Sequence, residues 1–325
     1  MTSASAPGKV VLSGEYAVLD GAPAICMAVD RRARATIVES PRQFHSVTAP
    51  GYSDIEGRFT SAGGAAEWLQ GRDVYPLLDA AWNALAPEPR RGLSITLDTR
   101  QFFAAGGATK AGLGSSAAMT VAFVGAISAH LGLPEDVGGT AHDAHRSLQG
   151  GRGSGVDVAC SIAGGLIEYR MPDRSVGAIA LPEGLCWALL WSGVASSTAA
   201  KIRRLADAAT RPSREALAAA AENMAGAWRS GDANTVLGEY PAYCDALQRF
   251  GVDHGLGIFD AGHDAVAEAA AEAGLVYKPC GAGGGDVGIV MGADASKVDA
   301  FADDAARFGF SPLDACFDAN GLTTD

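Results

Sequence analysis

The chain has 325 residues, 48% of them hydrophobic and 19% charged, with a formal net charge of −12. That length favours two lobes over one core, and the composition is that of a soluble globular protein. The acidic balance and the lack of any basic run exclude nucleic acid as an expected partner. An anionic ligand must therefore be held by local donors against the overall field.

The N-terminus, MTSASAPGKVVLSGEY, has neither a basic region nor a long apolar region and does not read as a secretory signal. Residues 10–12 and 24–38 are strand-like on either side of the Asp20-Gly21 turn. LSITLDT at 93–99 alternates apolar and polar residues, as a half-exposed strand does. Residues 115–132 are long enough for a buried helix ended by Gly132 and Pro134, and Pro134 suits the first turn of another helix over 134–149. Residues 164–170 and 186–192 read as strands. CWALLW at 186–191 is too short to span a bilayer, so no membrane is expected.

After about 195 the composition changes. Residues 196–230 and 260–273 are Ala-rich with helical spacing, and YKPCGAGGGDVGIVMG reads as strand–loop–strand. Strands and helices mix without strict βαβ alternation, which predicts an α+β fold with a soft boundary at 170–175. Cys26, Cys160, Cys186, Cys244, Cys280 and Cys316 are scattered with no CxxC pair. They read as reduced thiols in a cytoplasmic protein.

KAGLGSSAAMTV at 110–121 carries the first chemical signal. A glycine turn that opens a helix presents unpaired amides and the positive dipole end, which favour phosphate. Gly112 and Gly114 let the backbone approach a ligand closely. Ser115 and Ser116 can cap the helix or bind phosphate oxygen or Mg²⁺, and Lys110 adds a point charge. On this stretch alone, a Ser-capped buried helix is an equally good reading. GLGSSA also fits the dinucleotide fingerprint, but AAGGATKA before it is no strand, and Glu135 and Asp136 open a helix. No P-loop motif occurs. Two further segments stand out. In SAPGKVVLSGEYAVLDG (5–21), Lys9 follows a Pro-Gly turn and precedes an apolar strand. KPCGAGGGDVGIV (278–290) has five glycines within 281–288, with Asp286 among them. So many glycines cost chain entropy unless a backbone bends sharply or approaches a ligand.

Together and in this order, SAPGKVVLSGEYAVLDG, KAGLGSSAAMTV and GAGGGDVG resemble the three motifs of the GHMP kinase superfamily. The resemblance covers essentially the whole chain. It implies two α+β lobes: an N-terminal lobe (1–172) like ribosomal protein S5 domain 2 that binds ATP, and a ferredoxin-like C-terminal lobe (173–325) on the acceptor side. It also implies transfer of the γ-phosphoryl group of ATP, with Mg²⁺, to a small molecule. Lysine two residues before Gly112, the GAGGGD-x-GI form of the third motif, QGGRGSGVDVACSIAGGLIEYR at 149–170 and WSGVASSTAAKI at 191–202 resemble the phosphomevalonate kinase branch. The implied acceptor is mevalonate 5-phosphate, with mevalonate or another small alcohol as the nearest rival and a decarboxylase of the same superfamily as a further one. A homodimer is left open.

The resemblance also assigns roles. Asp157, in GSGVDVA, matches the catalytic aspartate, and Lys9 neutralises charge during transfer. Lys110, Gly112, Leu113, Gly114, Ser115, Ser116 and Ala117 form the ATP-phosphate loop, with Ser116 the expected Mg²⁺ contact. Ser154, Gly155, Ser197, Thr198, Gly281, Ala282, Gly283, Gly284 and Asp286 are placed at the acceptor. One departure is visible. Many relatives acting on alcohols carry a glutamate, a second Mg²⁺ ligand, on the helix before the catalytic aspartate, whereas this chain has Ala144, His145, Arg146 and Ser147, with Asp143 the only acid nearby. His142 and His145 read as ordinary helix histidines, since no third metal ligand stands in motif spacing.

Overall fold

The computed structural model describes the chain apart from residues 105–108, 134–135, 197 and 207–211, and apart from the side chains at 198, 199 and 206. β1 (Thr2–Ser13) and β2 (Ala24–Ser40) run antiparallel and begin a nine-stranded sheet. β3 (His45–Ala49), β4 (Ser53–Ala62) and β5 (Ala65–Gln70) form a meander at its edge. α1 (Pro76–Leu85) leads into β6 (Gly92–Asp98), which lies between β2 and β3. α2 (Ser115–Leu131) and α4 (Val156–Ala163) pack on β1 and β2, and α3 (Val137–Leu148) packs on both helices. β7 (Leu166–Arg170) and β8 (Ser175–Ile179) form a hairpin that pairs back onto β2.

The second half contains β9 (Cys186–Trp191), α5 (Thr198–Ala206), α6 (Pro212–Ser230), α7 (Ala233–Asp253), α8 (His263–Glu272), β10 (Val276–Pro279), β11 (Val287–Gly292), α9 (Ala295–Asp303) and β12 (Ser311–Leu313). Its sheet is antiparallel in the order β10-β11-β9-β12. Strand, helices, two strands, helix and strand in that order make a ferredoxin-like lobe, as expected. The chain then returns: β13 (Thr323–Thr324) pairs with β1. Arg32 holds this tail through Asp318 at 2.5 Å and the Gly321 carbonyl at 2.6 Å. The first sheet thus extends beyond position 172, and the expected division at 172/173 falls in the turn of the β7–β8 hairpin.

α2 is buried on every side from Ala117 to Ser128, which explains its unbroken run of small and apolar residues. The Pro7-Gly8 pair is no turn before a strand. It sits inside β1 at a register shift against β2. A Cβ on Gly8 would lie 2.8 Å from the Leu113 carbonyl oxygen, so glycine lets the 110–114 loop rest on the strand. α3 starts at Val137, capped by Asp136, which accepts from the Gly139 amide; the expected start at Pro134 lies outside the described residues. α7 was not expected. It is not Ala-rich and holds Pro241, yet Val236, Tyr240, Tyr243 and Leu247 are buried at helical spacing. Among the described residues, no helix is long and apolar enough to cross a membrane, and all six cysteines are unbridged.

Candidate active site

The site lies between the two sheets. Lys9 is anchored by its own amide, which donates to the Leu113 carbonyl at 2.9 Å. Its stem lies along Gly114, where an added Cβ would stand 3.0 Å from Cε and 3.1 Å from Cγ. Gly112 is equally constrained, because a Cβ there would stand 2.4 Å from that of Asp286. Both glycines have φ of +78°, a left-handed backbone that other residues adopt only at a cost. These two positions bring the second and third glycine segments against the lysine strand.

Lys9, Gly112, Ser154, Asp157, Gly281, Ala282 and Asp286 line one cleft of about 130 Å³. Asp157 is in the first turn of α4, where the helix dipole favours a negative charge. Its Oδ1 accepts from the Val158 amide at 3.0 Å, and its Oδ2 lies 3.8 Å from Nδ1 of the buried His145. The Ser154 carbonyl accepts from Tyr169 at 2.7 Å. Gly155 packs on the ring of His142, where a Cβ would come within 2.1 Å of Nε2. His142 and His145, read from the sequence as ordinary helix histidines, are buried on α3 and face the segment that carries Asp157.

The third segment divides. Gly281 and Ala282 face the cleft. Gly283 and Gly284, expected at the acceptor, are not among the residues lining it. The Gly284 amide donates to Ile258 at 2.7 Å, and the Gly283 carbonyl accepts from Lys201 at 2.6 Å and from Ser196 at 2.7 Å. Asp286 is part wall and part brace. Its backbone is left-handed at φ 57°, and its Oδ1 accepts from the Ser196 amide at 3.2 Å. Burial pushes its carboxyl pKa up, against the Ser196 hydrogen bond and the nearby Lys9 and Lys201 charges. Ser197 lies outside the described residues, as does the side chain of Thr198.

His263 supports this loop from behind. It is fully buried, with Nε2 3.1 Å from the Gly285 carbonyl and Nδ1 2.7 Å from the Tyr277 hydroxyl. A carbonyl can only accept, so Nε2 carries the proton of the neutral ring. Burial lowers the pKa of His263 to about 4, and does the same for His45. The unfolded chain therefore binds more protons between about pH 6.5 and pH 4. Stability is expected to fall as pH drops through that window, by up to about 1.4 kcal/mol per pH unit for each ring. Urea midpoints across pH 4–7 test this, and His263→Gln should show a shallower slope.

A second cavity, of about 200 Å³, opens on the other side of the glycine loop. Lys110, Ser115 and Ser116 line it with Tyr52, Tyr75, Leu78 and Met119. The Lys110 ammonium lies 4.9 Å from the centre of the Tyr52 ring, a cation–π contact. Neither serine caps α2, because the cap position is the left-handed Gly114 and no side chain bonds there. Both serines line this second cavity. The Leu113 and Ala117 side chains are buried in the core, so those two residues can offer a ligand only their backbone.

Residues 77–165 match the family described as GHMP kinases N terminal domain. A phosphomevalonate kinase of Streptomyces sp. (strain CL190) is 31% identical over 90% of this chain and 90% of its own length. The chain belongs to the GHMP kinase family. A mevalonate kinase of Thermococcus sibiricus is 34% identical, over 51% of each chain. The Streptococcus pneumoniae phosphomevalonate kinase solved with phosphomevalonate and AMPPNP superposes with a TM-score of 0.81 at 20% identity, over 98% of this chain and all of that one.

For a GHMP kinase, ATP is the phosphoryl donor. Among the described residues, no three His, Cys, Asp or Glu side chains converge as a metal cage. Three site features escaped sequence reasoning. Glu15 and Tyr16 line the cleft, and Lys201 holds the glycine loop by its carbonyls at 282 and 283. Glu15 was signalled only by standing in the same motif as Lys9.

Proposed function

We propose that this chain transfers the γ-phosphoryl group of ATP to mevalonate 5-phosphate, giving mevalonate 5-diphosphate in the mevalonate route to isoprenoids. The observation that carries the reading is the likeness to a phosphomevalonate kinase through both lobes, since the acceptor cleft is built from both. In this reading the apolar cavity beside Tyr52 and Tyr75 takes the nucleoside. The phosphates pass along the α2 N-terminus from Ser116 to Gly112 toward Lys9. Mg²⁺ would be held by the Ser116 hydroxyl and the Asp157 carboxylate and would screen phosphate charge. Ser154, Gly281 and Ala282, which line the cleft, would face the acceptor.

The chemistry is consistent with an acceptor that is itself a phosphate. A phosphate monoester is largely ionised near neutral pH, its second pKa being about 6, so attack needs positioning and charge stabilisation more than a strong base. Mevalonate is the second reading, favoured by the half-chain likeness to a mevalonate kinase. ADP release measured with mevalonate 5-phosphate and with mevalonate separates them. Higher kcat/KM with mevalonate 5-phosphate is expected; faster turnover of mevalonate would overturn the assignment.

A further inference from the structure

Behind the cleft is a buried charged group that the transfer chemistry leaves without a role. Lys278, on β10, is fully buried, and its Nζ lies 2.5 Å from Oε1 of Glu15, whose side chain is 1% exposed. The other carboxylate oxygen accepts from the Tyr243 hydroxyl on α7 at 2.5 Å. The Tyr243 oxygen accepts in turn from the Gly14 amide at 2.7 Å, and Lys278 also donates to the Val11 carbonyl at 3.3 Å. Burial works against the ammonium, but the Glu15 charge and hydrogen bond outweigh it and hold the Lys278 pKa above the ordinary lysine value. Lys278 therefore keeps its charge at neutral pH.

Its position gives it consequence. Glu15 follows β1, the strand that carries Lys9. Lys278 lies three residues before Gly281, where the glycine segment enters the cleft. Tyr16, next to Glu15, is held at φ 60° and donates to the Ala282 carbonyl at 2.7 Å. The turn 14–16 thus grips the third segment at two points, and the ionic pair is the inner one. Apolar residues of similar volume would serve stability as well or better, because burying two charges costs several kcal/mol of desolvation. What an ion pair adds is a fixed distance and direction.

We propose that Glu15 and Lys278, with Tyr243, are positioning residues for phosphoryl transfer: they set the spacing between the Lys9 strand and the 281–282 wall of the cleft. Misplacing a reacting group by about 1 Å can cost about 100-fold in rate. The test compares Glu15→Gln, Lys278→Met, the double variant and Tyr243→Phe, reading melting temperature, kcat and both KM values. The acceptor is whichever of mevalonate 5-phosphate and mevalonate the wild type turns over, so an error in the acceptor leaves the comparison intact.

Each single charge variant should melt lower, since it strands a buried charge. The double variant should regain most of the melting temperature, yet keep kcat at least about tenfold down with the KM for ATP little changed. Tyr243→Phe, which removes one hydroxyl and folds even where the charge variants do not, should lose several-fold in kcat. A double variant with wild-type kcat would show the pair to be structural only. So would Tyr243→Phe with wild-type kcat, or kcat losses that match the fraction of unfolded protein.

Discussion

Asp157→Asn is expected to lower kcat by roughly 10²–10³-fold while leaving the KM for ATP close to that of the wild type. Asparagine keeps the volume and the oxygen that accepts from the Val158 amide, so α4 should start as before. The change removes one negative charge at the mouth of a helix N-terminus, next to the buried His145. Transfer to a phosphate acceptor needs little proton abstraction, so the loss would report orientation and charge. It should then persist as a constant factor above about pH 6, the second pKa of a phosphate monoester. Initial rates with saturating acceptor between pH 6 and 9, with melting curves as the folding control, provide the measurement. Wild-type turnover in the variant would remove Asp157 from the transfer step. A deficit that shrinks as pH rises would indicate a base.

Much of this site was legible because glycine marks where backbone must come close. Gly112 and Gly114 predicted a phosphate-sized turn, and the fold shows that the same glycines also admit Asp286 and Lys9. α2 and β6 were readable from apolar length and alternation. The errors have common causes. Pro7-Gly8 has turn composition but lies in a strand, because the close approach of the 113 carbonyl overrides local preference. Gly283 and Gly284 look like their neighbours in sequence, yet their carbonyl and amide are bonded to Lys201 and Ile258. α7 escaped because its buried face is largely aromatic, with Tyr240, Tyr243 and Phe250, rather than alanine-rich. The Glu15–Lys278 pair joins positions 263 residues apart, and no spacing rule reaches that far. Its signal would have been a lysine inside a strand that is otherwise buried.

Lys9 offers a sharper separation of charge from packing than Asp157 does. Its stem fills the space that Gly114 leaves open, and its amide holds the Leu113 carbonyl. Lys9→Met keeps the length of that stem and the backbone bond, and removes only the ammonium. It should fold normally, keep the KM for ATP near the wild-type value and lose roughly 10²–10³-fold in kcat, the scale of removing one charge-stabilising donor from a transition state. Lys9→Ala also removes the stem, so the 112–114 loop loses its support; here the KM for ATP should rise as kcat falls. Equal kcat and KM in the two variants would mean that packing contributes nothing measurable. A Met variant with wild-type kcat would mean that the ammonium is not at the transferring phosphoryl group. In that case the charge opposing the phosphate would have to come from Mg²⁺, Lys110 or Lys201. Lys201 is already committed to the carbonyls at 282 and 283, and desolvation lowers its pKa. Lys9 lines the cleft, whereas Lys201 holds the loop that walls it.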